Sequence, residues 1–250
     1  MHTVDARREA GDLAGALALC EKIVRARPGM PLAIVQLSLL RRETGDLAGA
    51  VRSAEEALRL APDDPQMAAT LASHLNDAGR FREAALLLEP YARRPEPSFD
   101  VLMTRGAALA SLGRAAEALA TFQKVLELAP ANAMALVNIG TVHLGAREYA
   151  RARPAFEAAL ALDPDLPRAH NGLGVIEAET GRPDVAIERW AATVRLDPRD
   201  FDALFNLGLM LRKQGRAGEA RAVLERFARE APPSLYAADI RRARGWLAGS

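Results

Sequence analysis

This sequence predicts an all-α chain of stacked helix pairs, on three observations. Half of its residues are hydrophobic but only 5% are aromatic, and alanine carries much of the apolar share. Alanine has the best helix propensity and lets helices approach closely. Strand formers are sparse, and no apolar/polar alternation is sustained. Most decisively, three columns recur in phase every 34 residues. Glycine stands at Gly11, Gly45, Gly79, Gly113, Gly181 and Gly215, with one gap at Arg147. Alanine fills Ala16, Ala50, Ala84, Ala118, Ala152, Ala186 and Ala220. A third column reads Pro28, Pro62, Glu96, Pro130, Pro164, Pro198 and Pro232. An alanine-rich composition explains one such register by chance, but not three in phase.

Each column has a physical role. A first helix runs up to just before the glycine, whose positive φ ends it at little cost. A second helix follows and stops near the proline, which cannot continue it. The next first helix starts at once, and Pro31, Pro65 and Pro167 sit where an opening turn tolerates proline. The alanine lies where the two helices cross closest. One pair is too small to bury its own apolar face, so it must stack on its neighbours.

The period and the motif resemble the tetratricopeptide repeat family. Residues 133–166, AMALVNIGTVHLGAREYARARPAFEAALALDPDL, follow the family pattern nearly column by column. The other units are 31–64, 65–98, 99–132, 167–200 and 201–234, and residues 1–30 read as a partial unit lacking the start of its first helix. Residues 235–250 read as a closing helix. Tyr236, Ile240, Ala243 and Leu247 share its apolar face, with Arg241, Arg242 and Arg244 largely off it. The expectation is one array over 1–250. The resemblance implies a right-handed superhelical solenoid whose first helices line a concave groove.

Two departures stand out. Pro90 enters the body of a second helix, and Glu96 replaces the column proline with Pro95 and Pro97 on either side. A distorted helix and a looser joint near 90–98 are expected. At Arg147 the turn must either hold an arginine in the left-handed region or form earlier, at Gly145.

A net charge of +1, from 33 basic and 32 acidic residues, argues against a dedicated nucleic-acid binder. The single cysteine, Cys20, excludes an internal disulfide. Its column also holds Leu88, Phe122, Phe156, Trp190 and Leu224, so it reads as a buried, inert thiol. No apolar run approaches about 18 residues, so membrane insertion is not expected. The opening MHTVDARREAGD has no hydrophobic core for a secretory signal, and the cytoplasm is the default compartment. His2, His74, His143 and His170 are not spaced as ligands on one helix, and no catalytic constellation, metal site or cofactor is expected.

Function therefore rests on the phase. Positions 2, 5, 6, 9, 12 and 13 of a unit share one face of its first helix. Position 6 reads Gln36, Thr70, Thr104, Asn138, Gly172 and Asn206, with Asn171 beside the glycine. A side-chain amide donates and accepts at once, so it can clamp an extended peptide backbone. In the family's array that precedes the O-linked N-acetylglucosamine transferase catalytic region, an asparagine ladder in this column does so, and here Asn138 and Asn206 match it. Val35, Leu39, Met103, Met134, Val137, Leu144, Val175, Phe205 and Leu209 make an apolar floor. Charges on this face are mixed: Arg42, Arg168, Arg212 and Lys213 against Glu43, Asp77, Asp100, Glu179 and Asp202. The family's clamp for a terminal carboxylate cannot be assembled within three adjacent units.

The expected function is a non-enzymatic scaffold that binds a protein or peptide segment with micromolar-order affinity. Two alternatives stand beside it. One is the recognition or spacer region of a larger protein, such as a glycosyltransferase- or sulfatase-associated array. The other is self-assembly into a homo-oligomer through the array ends.

Overall fold

A computed structural model describes residues 2–248. Residues 249 and 250, assigned to the closing helix from sequence, lie outside the described residues, as does the side chain of His2. The described residues form fifteen helices and no strand, an all-α helical-repeat solenoid. They divide into two compact units, Met1–Pro130 and Ala131–Ser250.

The first unit holds α1 (His2–Glu9), α2 (Leu13–Ala26), α3 (Pro31–Glu43), α4 (Leu47–Leu60), α5 (Pro65–Asp77), α6 (Phe81–Ala92), α7 (Phe99–Ser111) and α8 (Ala115–Leu128). The second holds α9 (Ala133–Gly145), α10 (Tyr149–Leu162), α11 (Pro167–Glu179), α12 (Pro183–Leu196), α13 (Phe201–Lys213), α14 (Ala217–Glu230) and α15 (Pro233–Ala248). Within each unit, every helix packs on the next.

The grid appears as backbone geometry. All six column glycines have positive φ, between 72° and 88°. Arg147 takes the same region at φ 58°, the one non-glycine to do so among the described residues. The turn therefore does not form early, and Gly145 simply ends α9. The column alanines are buried at every repeat. Gly106, Gly140, Gly174 and Gly208 of the first helices make room for the large side chains of Phe122, Phe156, Trp190 and Leu224. Phe122 of α8 lies so close to Gly106 of α7 that an added Cβ would meet its ring at 2.5 Å.

The Pro90 break has a definite form. The other second helices α2, α4, α8, α10, α12 and α14 each have 14 residues, whereas α6 has 12. Pro90 lies inside α6, which ends at Ala92, and residues 93–98 leave the helix. A second interior proline, Pro154 in α10, does not shorten its helix.

The closing helix α15 begins at Pro233 and is kinked at Tyr236 (φ −117°, ψ 21°). Ile240 and Ala243 are buried against Leu204, Leu224 and Phe227, with Tyr236 and Leu247 partly buried beside them.

Candidate functional site

Each first helix presents positions 6 and 9 as a polar and apolar stripe. Tertiary contacts sort that stripe into occupied and free groups.

In the first unit most polar groups are occupied. Gln36 donates from Nε2 to Asp5 Oδ1 at 2.7 Å, which ties α3 to α1. Thr70 is buried, and its hydroxyl donates to the Gln66 carbonyl at 2.9 Å. Met103 and Thr104 are half-buried, and the Thr104 carbonyl accepts from Asn76 Nδ2 at 3.1 Å. Arg42 pairs with Asp77 at 3.5 Å, and Glu43 with Arg8 at 2.6 Å. A hollow of about 230 Å³ remains between α3, α5 and α7, lined by Leu39, Gln66, Thr70, Ser73, Asp100 and Thr104 among others. Buried His74 lies at its back, with Nε2 3.0 Å from Ser38 Oγ. The Ser38 hydroxyl donates to the Val35 carbonyl, so its oxygen accepts from His74. Burial lowers the His74 pKa, nearby Arg42 lowers it further, and Asp77 opposes them. A neutral imidazole follows.

The second unit corrects two sequence expectations. Val137 is fully buried, packed with Phe156, Leu173 and Ile176, so it is core rather than floor. Phe205 is 8% exposed. It lies against Phe227, at 4.8 Å between ring centroids, and under Trp246 of α15, at 6.2 Å. Arg212 and Arg242 cover Trp246 in turn, 4.6 and 5.4 Å from its ring centroid. The closing helix thus occupies the face that Phe205 would have offered. Gly172 is also explained by packing, because a Cβ there would run into the Phe156 ring.

The amides of this unit differ in availability. Asn138 Oδ1 accepts from Arg168 Nη2 at 3.2 Å. Asn171 is engaged at both ends: Trp190 Nε1 donates to its Oδ1 at 3.0 Å, and its Nδ2 donates to Asp200 Oδ2 at 3.3 Å. Burial raises the pKa of Asp200 despite the bond it accepts from the Ala203 N–H. Asn206 makes no hydrogen bond among the described residues. It is half-buried in a hollow of about 240 Å³ between α11, α12 and α13, walled by Val175, Leu209 and Met210 and edged by Glu179 and Lys213. Lys213 has no ion pair among the described residues, whereas Glu179 Oε2 accepts from the Tyr149 hydroxyl at 3.3 Å. Met134 is exposed on α9.

The side chains singled out as structural have packing partners. Cys20 is buried, its Sγ lies 3.5 Å from the Ala33 carbonyl, and burial raises its pKa. His143 Nδ1 lies 2.6 Å from Glu148 Oε2, and His170 Nε2 lies 2.9 Å from the Pro164 carbonyl. Among the described residues no cluster of His, Cys, Asp or Glu could hold a metal ion. None of the described helices is long and apolar enough to cross a membrane.

Two charged clusters escaped the sequence reading. Glu177, 2% exposed, is held by Arg153 at 2.5 Å and Arg182 at 2.6 Å. Arg105, half-buried on α7, faces Thr121 of α8. Both carried a signal in their columns. Arg105 shares its column with Leu37, Leu71, Ile139, Leu173 and Leu207. The signal at Glu177 is weaker, since its column holds Leu75, Leu109 and Leu211 but also Arg41 and His143.

Known proteins place this architecture. Two family models described as tetratricopeptide repeat match the chain, one over residues 1–139 and the other over 137–190 and 178–234. A thermophilic TPR protein of Thermus thermophilus has a TM-score of 0.66 at 22% identity, over 73% of this chain and 100% of that one. MamA from Desulfovibrio magneticus RS-1, residue 41 to its end, has a TM-score of 0.54 at 28% identity, over 66% of this chain and 93% of that one. YrrB, a TPR protein with an unusual peptide-binding site, has a TM-score of 0.50 at 19% identity, over 74% of this chain and 95% of that one. No curated protein sequence matches the chain.

Proposed function

The chain belongs to the tetratricopeptide repeat family of protein–protein interaction scaffolds, and on that premise we propose that the first-helix face of its second unit takes an extended peptide segment. The observation that carries this reading is the Asn206 amide, half-buried and uncommitted among the described residues, in a hollow with an apolar wall. A peptide unit offers one N–H and one C=O, and one amide side chain can satisfy both. Val175, Leu209 and Met210 would take an apolar side chain next to that point. Lys213, at the edge of the hollow, would favour a neighbouring acidic residue. The solved YrrB structure, with its peptide-binding site, supports the idea that this fold accommodates such a ligand.

The amides do not contribute equally in this reading. Asn138 Oδ1 must first release Arg168, whereas Asn206 has no hydrogen bond to release among the described residues. The test uses peptides selected from a random displayed library against the whole chain, with affinities measured by fluorescence polarisation. Asn206→Ala is expected to weaken binding by about tenfold, the worth of one or two hydrogen bonds to a buried backbone. Asn138→Ala is expected to weaken it less. Selected peptides that bind a folded Asn206→Ala, Asn138→Ala double variant at full affinity would remove this face from the function.

A further inference from the structure

We propose that a hollow in the first unit, between α6, α7 and α8, is a binding site for an oxyanion, a carboxylate or phosphate group. The hollow has a volume of about 260 Å³ and is lined by residues that include Glu89, Arg93, Arg105, Glu117, Thr121 and Lys124. On α7 it involves Leu102 and Arg105, away from the stripe of Met103 and Thr104.

Three independent features converge there. The first is residue type. Arg105 stands in a column that elsewhere holds leucine or isoleucine, and Leu37, Leu71, Leu173 and Leu207 of that column are buried. The second is charge. The two carboxylates of the hollow already have arginine partners: Glu89 pairs with Arg93, and Glu117 with Arg114 at 2.7 Å. The Glu117 pKa is held down mainly by Arg114, with Arg105 a lesser influence. Arg105 and Lys124 are left with no ion pair among the described residues. Arg105 Nη1 reaches only the Thr121 hydroxyl oxygen, at 3.4 Å, and Lys124 Nζ reaches the Ala92 carbonyl at 3.3 Å. The third is an unmet donor. Arg105 Nε is buried and has no hydrogen-bond partner among the described residues. A buried unpaired donor on a cation is costly, and a missing ion is one of its ordinary explanations.

The geometry suits a planar or tetrahedral anion. Nη1 faces Thr121 and Nε is buried as the side chain stands, so a turn of the guanidinium toward the hollow presents its Nε–Nη2 edge, which binds two oxygens side by side. The Thr121 proton is committed to the Glu117 carbonyl at 2.7 Å, so Thr121 positions the arginine rather than competing for the anion. Lys124 supplies a second charge from the next turn of α8. The early end of α6 at Ala92 removes the residues that complete a second helix elsewhere, and Ala92 borders the hollow.

The experiment is an NMR titration of the whole chain, following the amides of Thr121 and Lys124. Inorganic phosphate and a hexaglutamate peptide are added separately. Saturable shifts are expected, with affinity at least about tenfold weaker in Arg105→Leu. That variant restores the residue of its column and should keep the fold, and Lys124→Met serves as an independent second variant. A response to phosphate alone assigns the site to a small anion. A response to hexaglutamate assigns it to an acidic protein segment. No saturable shift with either probe up to about 10 mM, or unchanged affinity in both variants, overturns the proposal.

Discussion

The α5–α6 and α9–α10 hairpins occupy the same place in the repeat and solve the same problems differently. The first turns on Gly79 at φ 72°, the second on Arg147 at φ 58°. Both carry a proline inside the second helix, Pro90 in one and Pro154 in the other. Yet α6 stops at Ala92 and α10 runs on to Leu162. An interior proline removes one hydrogen bond and crowds the carbonyl four residues back, but it does not dictate where the helix ends. The sequence beyond it does. Arg94 and Glu96 each precede a proline, Pro95 and Pro97, and a residue before proline is driven out of helical conformation. No such block follows Pro154 before Pro164. Helix α10 is also pinned from outside, because Arg153, next to Pro154, bonds the buried Glu177 of α11. Near Pro90 the arginine is Arg93, just beyond the end of α6, and it pairs with Glu89 at the surface.

The largest test of this contrast removes the pin. Glu177→Ala leaves Arg153 and Arg182 without their shared carboxylate and is expected to lower unfolding free energy by about 3 kcal/mol in urea denaturation. Arg93→Ala, at the exposed pair, is expected to change it by less than about 0.5 kcal/mol. Equal effects would mean that the buried pair does not hold α10. The prolines come next. Pro154→Ala should raise stability by about 2 kcal/mol, the helical cost of proline less its benefit in the unfolded chain. Pro90→Ala should gain only about 1 kcal/mol, because Pro95 still ends the helix and few residues follow. A larger gain at Pro90 would reverse the assignment of the stop to Pro95. The smallest effect is at the turn: Arg147→Gly is expected to stabilise by just under about 1 kcal/mol. No rise in the denaturant midpoint would show that the arginine carries no strain there.

The turns were the most legible part of the molecule. Gly11 through Gly215 announced positive φ, and the one exception, Arg147, was visible as a gap in the same column. The first-helix faces were legible in phase but not in availability. Val137 and Phe205 have the spacing of floor residues. Whether they are reachable depends on Phe156 and Trp246, which no local pattern connects to them. Gly172 broke the ladder for a reason that is likewise non-local, the Phe156 ring.

The sequence by itself determined the helix pairs, their turns and the faces they present. Those features follow from backbone rules that act within a few residues: the φ freedom of glycine, the missing N–H of proline and the 3.6-residue period. Only the tertiary structure decided which polar groups on those faces are spent. Gln36 is held by Asp5, Asn138 by Arg168 and Asn171 by Trp190 and Asp200, while Asn206 is left open and Arg105 lacks a partner for its Nε. The physical reason is that a hydrogen bond depends on where two side chains meet in space, and these partners come from helices that the repeat period places side by side without naming.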